Sequence, residues 1–282
     1  MPELPEVELT ARLLDGALGG ASVESALAPG LNTLKTFAPP LAALEGHRLT
    51  RVRRRGKQLI VEFDGGLVLL LHLMSAGRLQ LYDSHASSRD RTSRLLVRFI
   101  DGRELRLREF GTKQAAWAKL LEQDALASDE ALARLGPEAW PEPPDDLGER
   151  LAQPRPLYAA LRDQHVIAGI GRSWVDEILW TARISPFKRG ADLDAAEVET
   201  LASAIRTTLG GALEQYERTL TLPLPDKLPM PLLVHRHAGE PCPRCAATLE
   251  SVNFEDHVMS YCPHCQTEGR VLKDRRLSRL LK

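Results

Sequence analysis

Four cysteines constrain this chain more than any other feature. They stand as Cys242-Pro243-Arg244-Cys245, then sixteen residues, then Cys262-Pro263-His264-Cys265, and they are all the cysteines it has. Two C-x2-C knuckles at this spacing suit one tetrahedral Zn²⁺ held by four thiolates. Such a site is structural, because four sulfurs leave no coordination position open. His257 and His264 lie nearby, but the four cysteines already complete the shell. Paired disulfides would need an oxidising compartment. The N-terminus is acidic and has no apolar signal core. No apolar run approaches the roughly 20 residues of a membrane span. The protein is therefore expected in the cytoplasm, without a membrane partner, and with its thiols reduced.

A small finger covers only the last part of a 282-residue chain. The rest is long enough for two further domains, each with its own core. Hydrophobic residues make up 43% and charged residues 27%, ordinary for a globular protein. The net charge of −1 does not announce a nucleic-acid binder. The distribution says more: Arg51, Arg53, Arg54, Arg55 and Lys57 crowd one stretch, and Arg270, Lys273, Arg275, Arg276, Arg279 and Lys282 make the C-terminal tail basic. A basic face on a neutral protein still supplies phosphate contacts.

Periodicity orders the remainder. Val7, Ala11, Leu14 and Leu18 recur at helical spacing over residues 4–18, and Gly19-Gly20 ends the run. From about 22 to 118 the pattern is that of strands. An alternating basic strand covers 48–54 and a second follows at 57–63. After a turn at Asp64-Gly65-Gly66 comes the apolar run Leu67–Leu73 of a buried strand, and Asp101-Gly102 marks a hairpin. Short strands with tight turns predict a sandwich or barrel. Residues 119–135 read as helical. Pro137 to Pro144 reads as a linker, 147–218 as a helical region, and Pro223, Pro225, Pro229 and Pro231 as an extended loop.

The N-terminus itself reads Met1-Pro2-Glu3-Leu4-Pro5-Glu6-Val7-Glu8. A small second residue lets the initiator Met be removed. Pro2 would then present a free secondary amine, a nucleophile that forms an iminium with an electrophilic sugar carbon. Its α-amino group titrates near roughly 8. Glu3 and Glu6 could flank it as acid and base. Pro and Glu are also favoured in a helix's first turn on conformational and dipole grounds alone.

The whole string resembles the start of the formamidopyrimidine-DNA glycosylase and endonuclease VIII family of DNA repair enzymes. Three later stretches, together with the two cysteine knuckles, extend the likeness to Cys265. His72-Leu73-Met74-Ser75-Ala76-Gly77-Arg78 resembles a family loop whose Met enters the gap left by an extruded base, with Met and Ser displaced here by one place relative to Gly77. Arg108-Glu109-Phe110-Gly111 resembles the Arg-x-Phe-Gly loop. Residues 166–177, with Gly169-Ile170-Gly171-Arg172, resemble the helix–two-turn–helix signature, with Arg172 where Asn is usual and Trp174 where Tyr is usual.

The resemblance implies an α+β multidomain protein. An N-terminal β-sandwich with an N-terminal helix would cover 1–135, a linker 136–150, a helical helix–two-turn–helix domain 151–232, a C-terminal zinc finger 233–270 and a basic tail 271–282. It implies a monomer that acts on double-stranded DNA bearing a damaged base or an abasic site, with one structural Zn²⁺. Pro2 would be the nucleophile and Glu3 the proton donor, and Glu6 would position the sugar or assist proton transfer. Lys57 would contact phosphate. Met74 and Phe110 would be apolar wedges, and Arg108 would bond the orphaned opposite base. Arg172 and His257 would hold phosphate, His257 standing where the family has Arg and so charging near neutral pH. The reaction would be base excision through a Schiff base on Pro2, then strand scission by elimination. Two other readings stay open: an abasic-site lyase with weak base excision, and a zinc-dependent DNA-binding protein without chemistry. The preferred lesion is not legible.

Overall fold

A computed structural model describes residues 2–87, 90–110, 114–254 and 257–272, apart from the side chains of Phe254 and His257. The expected tail beyond 272 and Gly111 of the Arg108 loop lie outside these residues. The chain falls into two compact units, residues 1–134 with 213–229, and 135–212 with 230–282.

The first unit opens with helix α1 (Leu4–Leu18). Glu3 is its N-cap, and Glu3 and Glu6 form a capping box, each side chain accepting the other's backbone N–H. Val7, Ala11, Leu14 and Leu18 are buried along one stripe, as their spacing predicts. Eight strands follow: β1 (Val23–Leu27), β2 (Leu49–Arg55), β3 (Gln58–Phe63), β4 (Leu67–His72), β5 (Gly77–Tyr82), β6 (Ser93–Phe99), β7 (Glu104–Glu109) and β8 (Trp117–Glu122). They pair antiparallel in two sheets of four, ordered β2-β3-β4-β8 and β1-β6-β7-β5. Leu59, Val61, Leu69 and Leu71 of one sheet share a core with Leu79, Leu95, Val97 and Leu107 of the other and with the α1 stripe. A sandwich results.

The unbroken apolar run of β4 has a physical reason. Leu69 and Leu71 face the shared core, while Val68 and Leu70 face a second cluster with Ile60 and Leu126, under Leu132. A strand dry on both faces cannot alternate.

One expectation fails. Residues 119–135 are not a helix: Trp117–Glu122 is strand β8, paired with β4 through Leu69↔Leu120, and only Glu130–Ala133 forms a short helix, α2. Ala, Leu, Lys and Glu favour helix intrinsically. Ladder bonds to β4 and the burial of Ala118 and Leu120 override that preference.

In the second unit helices α3 (Leu147–Leu151), α4 (Leu157–Arg162) and α5 (Arg172–Ala182) lead to α6 (Ala195–Thr219), whose last residues belong to the first unit. The hairpin β9 (Glu250–Phe254) and β10 (His257–Tyr261) runs between the cysteine knuckles, and α7 (Pro263–Thr267) closes the finger. Among the described residues no helix is long and apolar enough to cross a membrane.

Leu71 is fully buried, and removing its side chain should leave a cavity. Leu71→Ala is expected to lower unfolding stability in urea by about 2–5 kcal/mol. Leu31→Ala, at a position 99% exposed, should change it by less than about 0.5 kcal/mol.

Candidate active site and metal centre

Strand registers bring the candidate residues of the first unit to one end of the sandwich. Gln58 pairs with His72 and His72 with Trp117, so the β2–β3 turn carrying Lys57 meets the end of β4 and the start of β8. Gly77 pairs with Glu109, which puts the loop after β4, with Met74, beside the end of β7, with Arg108 and Phe110. Pro2 shares a small cavity with Leu73 and Arg78 at this end.

At the start of α1, Pro2 is buried, Glu3 is 1% exposed and Glu6 2%. The Glu3 N–H donates to Glu6 Oε2 at 2.8 Å, and the Tyr216 hydroxyl donates to Glu6 Oε1 at 2.7 Å. Burial, reinforced by the charge of Glu6, pushes the Tyr216 phenol far above its ordinary value, so it stays protonated as a donor. Both Glu6 oxygens are thus engaged, which suits a group that positions the N-terminus.

Lys57 follows Gly56, whose φ of +56° turns the chain between β2 and β3. Lys57 is 8% exposed, and its charge acts on His72. Burial first, then Lys57, lower the His72 imidazole to about 4. The ring is therefore neutral at pH 7. It stacks on Trp117 at 5.8 Å, and its Nδ1 accepts the Met74 N–H at 2.9 Å. Met74 sits at φ +50°, a left-handed backbone rare for an unbranched apolar residue. The turn is closed by Gly77 N–H to the Leu73 carbonyl at 2.8 Å, where a Cβ on Gly77 would lie 2.4 Å from that oxygen. A strained, half-buried methionine at a tight turn points to a functional constraint more than to core filling.

Arg108 donates from Nε to Thr92 Oγ1 at 2.9 Å, and from one terminal nitrogen to the Tyr82 hydroxyl at 2.8 Å and to Asp226 Oδ1 at 3.3 Å. Its guanidinium lies 4.5 Å over the ring of Phe110, which is 42% exposed. Arg78 stands directly across from Arg108 in the sheet and donates to the Asp226 carbonyl at 2.7 Å. The basic stretch is less available to a ligand than its composition suggests, since Arg53 pairs with Glu62 at 2.8 Å and Arg54 with Glu8 at 2.7 Å.

In the second unit Gly169, at φ +108°, and Gly171 lead into α5, and exposed Arg172 is its first residue. Gln164 holds the turn, accepting the Gly169 N–H and donating to the Ile170 carbonyl. Further along α5, Glu177 accepts the backbone N–H groups of Leu233, Val234 and His235 at 2.8–3.0 Å. Asp176 accepts the Ser260 N–H at 3.0 Å and faces His235 Nδ1 at 2.7 Å. Burial raises both carboxyls, Asp176 to about 6. These two acids tie the segment entering the finger, and β10, to α5. The His257 side chain lies outside the described residues.

The four cysteine sulfurs lie within 4.8 Å of one another. Individual separations are 3.5 Å for Cys245–Cys262 and Cys245–Cys265, and 4.0 Å for Cys242–Cys265. Tetrahedral Zn–S bonds of about 2.3 Å place sulfurs about 3.8 Å apart, whereas a disulfide needs about 2.05 Å. The set fits one structural zinc ion. Burial works to raise the Cys242 thiol, but the Arg244 N–H and the Trp180 indole, whose Nε1 donates to its Sγ at 3.3 Å, bring it down to about 6.

Three residues at the Pro2 end carry no role in the sequence reading: Arg78, Gln80 and Tyr216. Arg78 has a faint signal, as the last residue of the His72–Arg78 stretch. Gln80 and Tyr216 have none, because their partners lie 144 and 210 residues away along the chain.

Comparison with known proteins agrees along the chain. Residues 1–112 match the formamidopyrimidine-DNA glycosylase N-terminal domain, 135–223 the formamidopyrimidine-DNA glycosylase H2TH domain, and 239–267 the zinc finger found in FPG and IleRS. The formamidopyrimidine-DNA glycosylase of Chloroflexus aurantiacus is 34% identical over 279 residues, covering 94% of this chain and 98% of that protein. That of Symbiobacterium thermophilum is 35% identical over 291 residues, covering 98% and 93%. Among solved structures, Lactococcus lactis Fpg in complex with abasic-site DNA superposes with a TM-score of 0.84 at 26% identity, covering 94% of this chain and all of that one. The same enzyme with FAPY-dG DNA gives 0.83 at 26% identity, with the same coverage.

Two measurements test this geometry. Chelation should release one zinc per chain and change the emission of Trp180, a change absent in Trp180→Phe. His72, at about 4 when folded against 6.5 ordinarily, is neutral in the folded protein. Its contribution to stability is complete above pH 6.5 and is lost as pH falls from about 6.5 to about 4, because the unfolded chain takes up the proton first. The melting temperature of the native protein should therefore fall relative to that of His72→Gln across that window.

Proposed function

The chain belongs to the formamidopyrimidine-DNA glycosylase family, and on that premise we propose that it is a base-excision DNA glycosylase and abasic-site lyase with Pro2, freed of Met1, as its nucleophile. The observation that carries this reading is the buried N-terminal group: Pro2 beside Glu3, with Glu6 locked by the Glu3 N–H and the Tyr216 hydroxyl.

The chemistry follows from those atoms. A damaged nucleotide leaves the stack at a cost of a few kcal/mol. The Pro2 nitrogen bonds to C1′ of the deoxyribose and the C1′–base bond breaks, its electron pair leaving with the base, which takes up the proton that the Pro2 nitrogen sheds. Glu3 hands its proton to the ring oxygen, which opens the sugar and leaves a C1′ iminium on Pro2. The iminium acidifies the C2′ protons. Loss of one expels the 3′ phosphate, a second elimination expels the 5′ phosphate, and water then hydrolyses the iminium and restores the amine. Glu6 positions Glu3 and the N-terminus.

The other candidates take supporting roles at the same end of the sandwich. Lys57 contacts phosphate, Met74 and Phe110 replace lost stacking, and Arg108 bonds the unpaired opposite base. In the second unit Arg172 and His257 hold phosphate, while the zinc ion fixes the finger that carries His257. Reduced thiols suit the cytoplasm, where the DNA substrate lies.

Borohydride added to the Met-free protein on abasic-site DNA should trap a covalent adduct through Pro2. Pro2→Gly should lose most strand scission, and Glu3→Gln should slow base release by about 10²–10⁴-fold while DNA affinity holds. A native protein that binds this DNA yet traps no adduct would leave only a zinc-dependent DNA binder.

A further inference from the structure

Arg108 bonds the unpaired opposite base in the reading above, and the protein itself holds its guanidinium. Two of the three guanidinium nitrogens are spent. Nε donates its single hydrogen to Thr92 Oγ1 at 2.9 Å, and Nη1 donates its two to the Tyr82 hydroxyl at 2.8 Å and to Asp226 Oδ1 at 3.3 Å. Nη2 has no hydrogen-bond partner among the described residues, so its two donors are the ones left for a base.

Both hydroxyls are obliged to accept from Arg108, because each has one hydrogen and has given it elsewhere. Thr92 gives its own to Asp90 Oδ1 at 2.6 Å, and Asp90 also takes the Thr92 N–H at 2.9 Å and the Ser93 hydroxyl at 2.8 Å. Burial works to raise the Asp90 carboxyl, but those two hydroxyls and that N–H bring it down to about 2, so it stays an anion. An anion behind it makes the Thr92 oxygen a stronger acceptor. The Thr92 carbonyl takes the Glu109 N–H at 3.0 Å, which ties the same residue to the backbone beside Arg108. Tyr82 gives its hydrogen to Gln80 Oε1 at 2.8 Å, and the Gln80 amide is fastened in turn to Asp226 Oδ1 at 3.1 Å. The Arg106 guanidinium covers the Tyr82 ring at 3.9 Å. Neither hydroxyl turns away from Arg108 without breaking a second bond.

An unheld arginine samples many rotamers and reaches acceptors on any base. Each base offers its own order of donors and acceptors on the edge left unpaired. Only donors held still tell one order from another. We propose that Thr92 and Tyr82 are positioning residues that leave Nη2 of Arg108 set for the orphaned base, and so determine how sharply this chain discriminates among opposite bases. Neither touches the reacting atoms. The inference rests on the reading of Arg108 given above.

The kcat/KM for cutting abasic-site duplexes tests it. Four duplexes carry each base in turn opposite the site, and a fifth carries a baseless spacer there. The native protein should show at least about a tenfold spread between its best and worst opposite base. Thr92→Val and Tyr82→Phe keep the side-chain shape and lose the hydroxyl. Each should shrink the spread at least about threefold and leave cutting of the baseless duplex within about twofold of native. Thr92→Ser, which keeps the hydroxyl, should keep the native spread. Should Tyr82→Phe fail to fold, Thr92→Val against Thr92→Ser decides. An unchanged spread in Thr92→Val, where Arg108→Ala flattens it, overturns the proposal and leaves Arg108 its role. Equal losses on all five duplexes overturn it too, since they mark a purely structural part. A spread that survives Arg108→Ala, or a native protein with no spread, removes the reading of Arg108 and this inference with it. Failure of the lyase reading looks different again: no borohydride adduct forms on any of the five.

Discussion

The Glu6 carboxylate accepts the Glu3 N–H with one oxygen and the Tyr216 hydroxyl with the other, both in a dry interior. An N-terminus is ordinarily among the most mobile parts of a chain. Here the first turn of α1 is sealed on one side by the capping box and on the other by the end of α6, so Pro2 is held where the ends of β4 and β5 meet. The arrangement needs an anion: a neutral Glu6 would accept less strongly, and Tyr216, pushed upward by burial and by that charge, remains a donor in return. Without this pair Pro2 and Glu3 would be two polar residues at a fraying end.

The second unit relies on carboxylates in a related way. Asp176 and Glu177 are adjacent on α5, yet both are spent on backbone N–H groups and on His235, none on solvent. They gather the strand into and out of the finger onto one helix, and the Trp180 indole, one turn on, reaches the zinc ligand Cys242. Metal, hairpin and α5 thereby share one frame. Arg172, at the other end of that helix, inherits its orientation from the same frame.

Much of this was legible in the chain. The α1 stripe, the alternating strands, the apolar run of β4 and the cysteine knuckles follow from periodicity and spacing, which are local. Strand β8 was not, because its residues prefer helix in isolation and only the neighbouring β4 makes them extend. Pro2, Glu3 and Lys57 stood out by residue type and by likeness to a known family. The Gln80–Asp226 fastening and the Tyr216 hydroxyl were invisible, because each joins residues more than a hundred positions apart with nothing distinctive at either end. Met74 stood out through the family likeness, but its left-handed backbone did not, because strain leaves no mark in a residue's identity.

The strand registers that gather Lys57, Met74 and Arg108 at one rim of the sandwich also determine what the other rim is for. Its turns, at Asp64–Gly66 between β3 and β4 and at Asp101–Gly102 between β6 and β7, carry none of the residues given a role here, and three of their glycines adopt positive φ. That rim is the natural place to splice in a fluorophore or an affinity tag, since an insertion there lengthens a surface turn while the two-sided packing of β3 and β4 stays intact and the Pro2 amine stays free.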